Sequence, residues 1–222
     1  MNQWDQQERS QLKLKKRTAG IIKELYGHGN LNKAVLAGVR SAATIASPRA
    51  QKVWPFIIER LVKIEQDMGL KHEKLLSTDG KPTKAEISMY TAIRLYAIHQ
   101  QGQESFAAGA SYKAESADGL TLFAALANLR RDETTRTALD RRVQALLGTT
   151  NVNSVINSIT HLVEILKASM PNQKIDYPRL AGDLYLFQTG FRQANEVRLA
   201  WGQQYYRFIK QTVTAEGEKT ND

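Results

Sequence analysis

The 222-residue chain contains no cysteine, which excludes disulfides, thiolate metal ligands and cysteine nucleophiles. No unbroken apolar run approaches the ~20 residues of a membrane-spanning helix. The polar N-terminus, MNQWDQQERSQLKLKKR, lacks the apolar segment of a signal peptide. The alternation of apolar and polar residues that marks strands is also missing beyond a few positions. These absences predict an all-α protein that resides in the cytoplasm and does not insert into a membrane.

Acidic residues are outnumbered: 22 Asp and Glu stand against 31 Lys and Arg, a formal net charge of +9 at pH 7. This balance favours a polyanionic partner, with nucleic acid as the first candidate. Catalytic patterns are lacking too, because no Gly-rich phosphate loop, nucleophile elbow or carboxylate pair beside a base is present. The 4 histidines are too scattered for a metal site. We therefore expect no enzyme, no cofactor, no metal and no small-molecule substrate.

Apolar residues recur at three- and four-residue spacing along most of the chain, which predicts a series of amphipathic helices. Thr83 and Glu86 have the spacing of a capping box at the start of one helix. Asn30 and Asp176 are placed to cap two others through their side-chain oxygens. With 42% hydrophobic residues, these helices can bury a core as a compact bundle or as two small lobes.

The stretch 102–118 is rich in glycine, serine and alanine, which is typical of a connecting loop. It divides the chain into a predicted N-terminal helical lobe, 1–101, and a C-terminal helical lobe, 119–213. The residues 214–222 form a polar tail. A second polar stretch, 66–81, is predicted to be an exposed loop.

Five arginines and three acids fall in the segment GLTLFAALANLRRDETTRTALDRRVQALL, which predicts two helices with apolar inner faces. Guanidinium groups donate paired hydrogen bonds to phosphate oxygens, so such helices can pack on one side and bind phosphates on the other. Alternatively, Arg130, Arg131 and Arg136 form surface ion pairs with Asp132, Glu133 and Asp140. Each such pair contributes about 0–1 kcal/mol to stability. The five are Arg130, Arg131, Arg136, Arg141 and Arg142.

A last helix is predicted over 195–213, where Trp201, Tyr205 and Phe208 lie at helical spacing. We expect these aromatic rings in the core or in an interface rather than stacked on bases. Tyr206 lies one position further round the helix and is the better candidate for an exposed aromatic ring.

Six segments in a fixed order carry a resemblance to a known family. They are LNKAVLAGVR, the helix start WPFI, GLTLFAALANL, DRRVQALLG, KIDYPRLAGDLYLFQ and WGQQYYRF. This ordered set resembles the small subunit of Cascade, the type I-E CRISPR surveillance complex, known as the CasB family. The resemblance covers the C-terminal half most closely.

The resemblance implies a non-catalytic helical subunit in antiviral defence that packs against the Cascade backbone subunits, the large subunit and a second copy of itself. It also implies that basic residues hold the target and displaced DNA strands of the R-loop, while crRNA pairing selects the target. Family members bear arginine where this chain has Thr160 and His161. The positions that match basic positions of the family are Arg40, Arg141, Arg142, Arg198 and Arg207.

The arginine-rich helices, the resemblance and the last helix together give nine candidate nucleic-acid contacts. They are Arg40, Arg130, Arg131, Arg136, Arg141, Arg142, Arg192, Arg198 and Arg207. One alternative is a helix-turn-helix regulator built on VQALLGTTNVNSVINSI. Its second helix has no basic residue before Lys167, which disfavours contact with the major groove. The other alternative is a structural scaffold, which arginines paired one by one with carboxylates would favour over arginines in one stripe.

Overall fold

A computed structural model describes residues 3–69, 74–112 and 117–207. In these ranges the chain forms α-helices and two short 3₁₀ segments, and the all-α prediction is confirmed. Phe208, the end of the predicted last helix and the tail at 214–222 lie outside the described residues.

The helices follow one another without an intervening strand in the described residues. They are α1 (Gln3–Tyr26), α2 (Lys33–Ser41), α3 (Trp54–Met68), α4 (Lys84–Gln100), α5 (Leu122–Leu129), α6 (Glu133–Leu147), α7 (Val152–Ser169), α8 (Tyr177–Phe187) and α9 (Phe191–Tyr206). The 3₁₀ segments are Gly27–Gly29 and Pro48–Val53.

Two of the predicted helix caps are confirmed. The Thr83 hydroxyl accepts from the Glu86 amide at 3.1 Å, and the Glu86 carboxylate accepts from the Thr83 amide at 2.7 Å, which completes the capping box. The Asp176 carboxylate accepts from the Arg179 amide at 2.9 Å and caps α8. Both caps depend only on neighbours in sequence.

The cap of α2 was predicted two residues too early. The 3₁₀ segment Gly27–Gly29 binds the Asn30 amide through the Gly27 carbonyl at 3.0 Å, so Asn30 still belongs to the turn. Asn32 is the capping residue, since its side chain accepts from the Val35 amide at 3.2 Å. The turn thereby lets the chain leave α1 before α2 begins.

The helix α4 lies at the centre of the molecule, with nearly all of its side chains buried. It packs against α1, α2, α3, α7 and α8, while α5, α6 and α9 complete the other half. One hydrophobic cluster runs through both halves, from Leu14 and Ile93 to Leu126, Val163 and Leu184. The two predicted lobes therefore share a core, and their boundary at 102–118 stays a prediction.

The connection between α3 and α4 is partly fastened to the core. Leu75 is buried, and the Glu65 carboxylate accepts from the backbone amides of Leu75 and Leu76 at 2.7 and 3.0 Å. The predicted exposed loop at 66–81 thus contains an anchored segment at its far end. None of the helices in the described ranges is both long and apolar enough to cross a membrane.

Candidate nucleic-acid interface

Arg130 links the turn between α5 and α6 to α9. Its Nε and Nη2 donate to the two carboxylate oxygens of Asp140 at 2.7 and 3.2 Å, and the Tyr205 hydroxyl donates to the same carboxylate at 2.7 Å. The hydrogen bond from Arg130, followed by that from Tyr205, holds the pKa of Asp140 below its usual value. The charge of Arg130 is therefore balanced within the molecule, as the scaffold alternative requires.

Two further candidates also have partners on their own helix or turn. The Arg136 Nε donates to the Arg130 carbonyl at 3.1 Å, and its Nη1 lies 3.7 Å from the Glu133 carboxylate. The Arg192 Nε donates to the Glu196 carboxylate at 2.9 Å on the surface of α9. Like Arg130, both arginines therefore have a partner within the chain.

Arg198 closes the C-terminal end of α6. Its Nε donates to the Leu147 carbonyl, and its Nη1 donates to the Asn195 side chain at 2.9 Å. A cation at this position satisfies a carbonyl that the helix leaves open and complements the helix dipole. The geometry gives Arg198 a role in joining α6 to α9.

Arg141 and Arg142 lie on the outer face of α6 and are exposed. Arg142 Nη1 donates to the Ala138 carbonyl at 3.2 Å, and neither arginine forms an ion pair with a described carboxylate. Arg131 and Arg207 are exposed as well, near the end of α9. All four side chains are thus exposed.

Arg40, in the last turn of α2, lies close enough to Lys167 on α7 to lower the pKa of that ammonium. Neither Lys167 nor Arg94, on the neighbouring helix α4, was among the predicted contacts. From α4, the Arg94 Nη1 donates to the Thr160 hydroxyl at 3.2 Å. From α7, the Lys167 ammonium donates to the Ile98 carbonyl at 2.9 Å. We call Arg40, Arg94 and Lys167 the basic cluster, because α2 and α7 both pack against α4 and each of these three helices supplies one member.

The cations of the basic cluster are not bound to carboxylates in the part of the chain that the structure describes. Within the described ranges, none of its three members forms an ion pair with a carboxylate, and the Arg94 Nε is buried without a hydrogen-bond partner. Burial, and then the positive charge of Arg40, lower the pKa of Lys167, while Glu164 acts in the opposite direction. The Glu164 carboxylate itself lies 3.3 Å from His161 Nδ1. An anion bound here would relieve the repulsion between the cations.

A signal for this cluster was present in the sequence. The stretch 25–58 contains no Asp or Glu but carries four cations. They are Lys33, Arg40, Arg49 and Lys52. A Cβ on Gly38 would lie 2.6 Å from the Arg49 carbonyl oxygen, so this glycine allows the 3₁₀ segment to pack against α2. Arg94 carried no such signal, because it lies alone among apolar residues in the middle of α4, a largely buried helix.

The sequence matches the family model of the CRISPR-associated protein Cse2 over residues 35–206. The chain belongs to the Cse2 family. It is thus a member of the family of CasB small subunits of type I-E Cascade and a subunit in CRISPR defence, and the resemblance is confirmed. Membership of the Cse2 family also implies that its partners are those of a Cascade complex.

The fold of the Cse2-family chain is similar to that of a solved structure, the crystal structure of CasB from Thermobifida fusca. The TM-score is 0.62 at 24% sequence identity, and the match covers 90% of this chain and 98% of that chain. A comparison with curated protein sequences finds no match.

The structure explains two differences between this chain and the Cse2 family pattern, one on α7 and one in α1. Where the resemblance implies arginine on α7, Thr160 instead accepts a hydrogen bond from Arg94, so α4 delivers a cation to that position. The helix α1 precedes the region that the Cse2 model matches, yet its side chains Leu14 and Ile21 are fully buried. This helix is part of the core rather than an appendage.

Proposed function

We propose that this Cse2-family subunit holds the target and displaced DNA strands of the R-loop without catalysing a reaction. In this role crRNA pairing selects the target, and the backbone subunits, the large subunit and a second copy of the chain are its partners in Cascade. The basic cluster is the observation that supports the proposal most. Three cations on neighbouring helices that form no ion pair within the described residues are suited to a phosphate backbone.

The members of the basic cluster are held in place before any ligand binds. The Thr160 hydroxyl positions Arg94, and the Ile98 carbonyl positions Lys167. Less side-chain entropy is then lost when a phosphate binds. Contacts with phosphates carry no base information, which suits a subunit that must accept any target sequence.

The nine arginines predicted as contacts do not contribute equally in this proposal. Arg40 belongs to the basic cluster, and Arg141 and Arg142 offer a second exposed group on α6. The paired arginines serve the scaffold instead. They are Arg130, Arg136, Arg192 and Arg198. A scaffold without nucleic-acid contact remains the second candidate function because these four have internal partners.

The salt dependence of binding tests the proposal. The full-length chain is titrated onto a fluorescent single-stranded oligonucleotide at several salt concentrations, with fluorescence anisotropy as the readout. Replacing Arg40 and Lys167 by Ala removes two phosphate contacts, which reduces the slope of log affinity against log salt by roughly 1.4. An R9A/K23A double variant loses the same charge from the exposed surface of α1 and serves as the control.

The proposal predicts a shallower slope only in the variant of the basic cluster. Equal slopes in both double variants would assign the binding to net charge alone and favour the scaffold. In the assembled complex, R141A/R142A is expected to shorten the lifetime of the R-loop while helix content is unchanged. An unaltered lifetime would contradict the role of α6.

A further inference from the structure

Tyr206 lines two neighbouring cavities at the end of α9. On one side is a shallow groove of about 530 Å³ between α9 and the end of α6. Leu147, Leu199 and Gly202 give this groove an apolar lining. Leu199 is 63% exposed and Tyr206 is 38% exposed, although both are large apolar side chains. A groove of this character offers a surface for a flat apolar group.

On the other side of Tyr206 is a smaller pocket of about 130 Å³. Its cationic lining comes from Arg130, Arg131, Arg136 and Arg207, and no carboxylate is among its described lining residues. Arg130 is balanced by Asp140 and Arg136 lies 3.7 Å from Glu133, so four guanidinium groups meet two carboxylates here. This pocket is suited to a small anion such as a phosphate.

The Tyr206 ring is fixed in position between the two cavities. The Arg130 guanidinium lies 5.2 Å from the centre of the ring, and the Tyr205 ring packs against it edge-on at 4.9 Å. Tyr205 is itself anchored by its hydrogen bond to Asp140. Because these contacts hold the ring, its stacking surface is formed before a ligand arrives.

We propose that the two cavities together bind one nucleotide of a single strand. The base stacks on Tyr206 in the apolar groove, and the adjoining phosphate lies in the arginine-lined pocket. Because Tyr206 lines both cavities, a base in one of them and its phosphate in the other belong to one nucleotide. Stacking tolerates every base, because each has a π-face, so the site holds a strand without reading it.

This inference rests on the proposed function for the identity of the bound strand. The evidence for the site itself is the pair of cavities beside Tyr206. It adds a stacking contact to the phosphate contacts of the basic cluster. Stacking fixes the orientation of a base, which charge alone does not. The site would therefore hold one nucleotide of a displaced strand at a defined point on the subunit.

A single-stranded oligonucleotide that contains 2-aminopurine tests the site, because the fluorescence of this base changes when it stacks on an aromatic ring. The full-length chain is expected to quench the fluorescence. Tyr206→Phe should retain the quenching, whereas Tyr206→Ala should abolish it and weaken binding roughly tenfold. Leu199→Asn changes an exposed side chain of the groove and should reduce the quenching while the fold is intact.

The phosphate side of the site is tested with Arg207→Ala, which should lower the salt slope by roughly 0.7. Arg9→Ala, an exposed arginine on α1, is the matched control and should leave the slope unchanged. Adenosine monophosphate is added as a competitor. Displacement only at concentrations far above that of the oligonucleotide supports a site for a strand, and displacement at equal concentration would reassign it to a free nucleotide.

Failure of this site and failure of the proposed function give different results. If Tyr206→Ala binds and quenches like the unsubstituted chain while R40A/K167A loses affinity, the nucleotide site is wrong and the proposed function stands. If no form of the chain binds the oligonucleotide in a salt-dependent manner, the proposed function itself is wrong. Binding without quenching in the unsubstituted chain would also overturn the nucleotide site.

Discussion

Arg130 and Arg141 carry the same charge and lie in neighbouring parts of the chain, yet their surroundings differ. The Arg130 side chain is 18% exposed and shares its guanidinium with Asp140, whose side chain is 22% exposed. Arg141 projects from the outer face of α6 into solvent. The first arginine therefore stabilises the fold, and the second is available to a partner.

Arg130→Ala is expected to lower the free energy of unfolding by about 2 kcal/mol, because it removes charged hydrogen bonds and leaves the Asp140 carboxylate without its main partner. Arg141→Ala should change the same quantity by less than about 0.5 kcal/mol. Urea unfolding followed by circular dichroism measures both. A small effect of Arg130→Ala would mean that Arg130 is as available to DNA as Arg141.

His99 is a second residue whose role follows from its surroundings. It is fully buried, and its Nδ1 lies 2.8 Å from the Tyr177 hydroxyl. Burial, and then the positive charge of Lys167, lower the pKa of His99 to about 4 from 6.5. Between these values the unfolded chain binds a proton that the folded chain does not.

Stability should therefore fall as the pH is lowered from about 6.5 to about 4, by at most about 1.4 kcal/mol per pH unit from this residue. Below the folded pKa the contribution of His99 no longer changes. His99→Gln removes the titrating group and should flatten the pH dependence in this window, even though the variant is less stable at pH 7. Urea unfolding at several pH values measures the difference, and parallel curves would exclude His99 as the cause.

At the scale of elements, the contact between α2 and the 3₁₀ segment Pro48–Val53 depends on the missing side chain of Gly38. A glycine within a helix ordinarily costs about 1 kcal/mol relative to alanine. Here a Cβ would lie 2.6 Å from the Arg49 carbonyl oxygen, so backbone must move to accommodate it. The close packing brings the backbone of Arg49 against α2, the helix that carries Arg40.

Gly38→Ala is thus expected to destabilise the protein by about 1–3 kcal/mol despite the gain in helix propensity. Gly20→Ala in α1 is the matched control, since a Cβ at Gly20 meets nothing within 4 Å, and it should stabilise by up to about 1 kcal/mol. Thermal unfolding compares the two variants. If both variants were stabilised, the backbone of the 3₁₀ segment would move away from the added Cβ at little cost in free energy.

Elements that depend on neighbours in sequence could be predicted, and those that depend on distant contacts could not. The Thr83 and Asp176 caps were found because each cap joins residues three positions apart. The cap at Asn32 was missed, since the positive φ of His28 and its flanking glycines lengthened the turn. Periodicity predicted the type of the helices but not the start of α9 at Phe191.

The candidate site was predicted in part for the same reason. Arg40 was identified because it lies in a segment that resembles the family. Arg94 and Lys167 were not, because only the packing of α2 and α7 against α4 places the three cations on neighbouring helices. Pairing of the first arginines with nearby acids was foreseen as an alternative, but spacing in sequence did not say which acid each arginine would bind. The structure joins Arg130 to Asp140, ten positions further along the chain.

At the scale of the whole molecule, α1 connects the two halves of the chain. It packs against α3 and α4 from its own half and along α8 from the other half. A Cβ on Gly182 in α8 would collide with the Lys15 side chain, so this lysine lies flat against α8. Burial of its stem lowers the pKa of Lys15, while Asp183 acts to raise it.

A shared core predicts that both halves unfold in one cooperative transition. Ile21 is fully buried, and Ile21→Ala should lower the free energy of unfolding by about 2–5 kcal/mol. Because the core is continuous, the most protected amides of α7 and α8 should lose the same free energy as those of α1. Native-state hydrogen exchange measures all three helices in one experiment.

The control for this prediction is Leu12→Ala, which lies on the same helix but is 66% exposed. It should leave the exchange of α7 and α8 unchanged within about 0.5 kcal/mol.

If Ile21→Ala weakens protection only within 1–101, the chain consists of two lobes that unfold separately and that meet at the 102–118 connection. In that case the basic cluster would join two independent units, since Arg40 and Arg94 lie in one and Lys167 in the other. DNA bound across the cluster would then stabilise their association, and phosphate-dependent protection of α7 would reveal it.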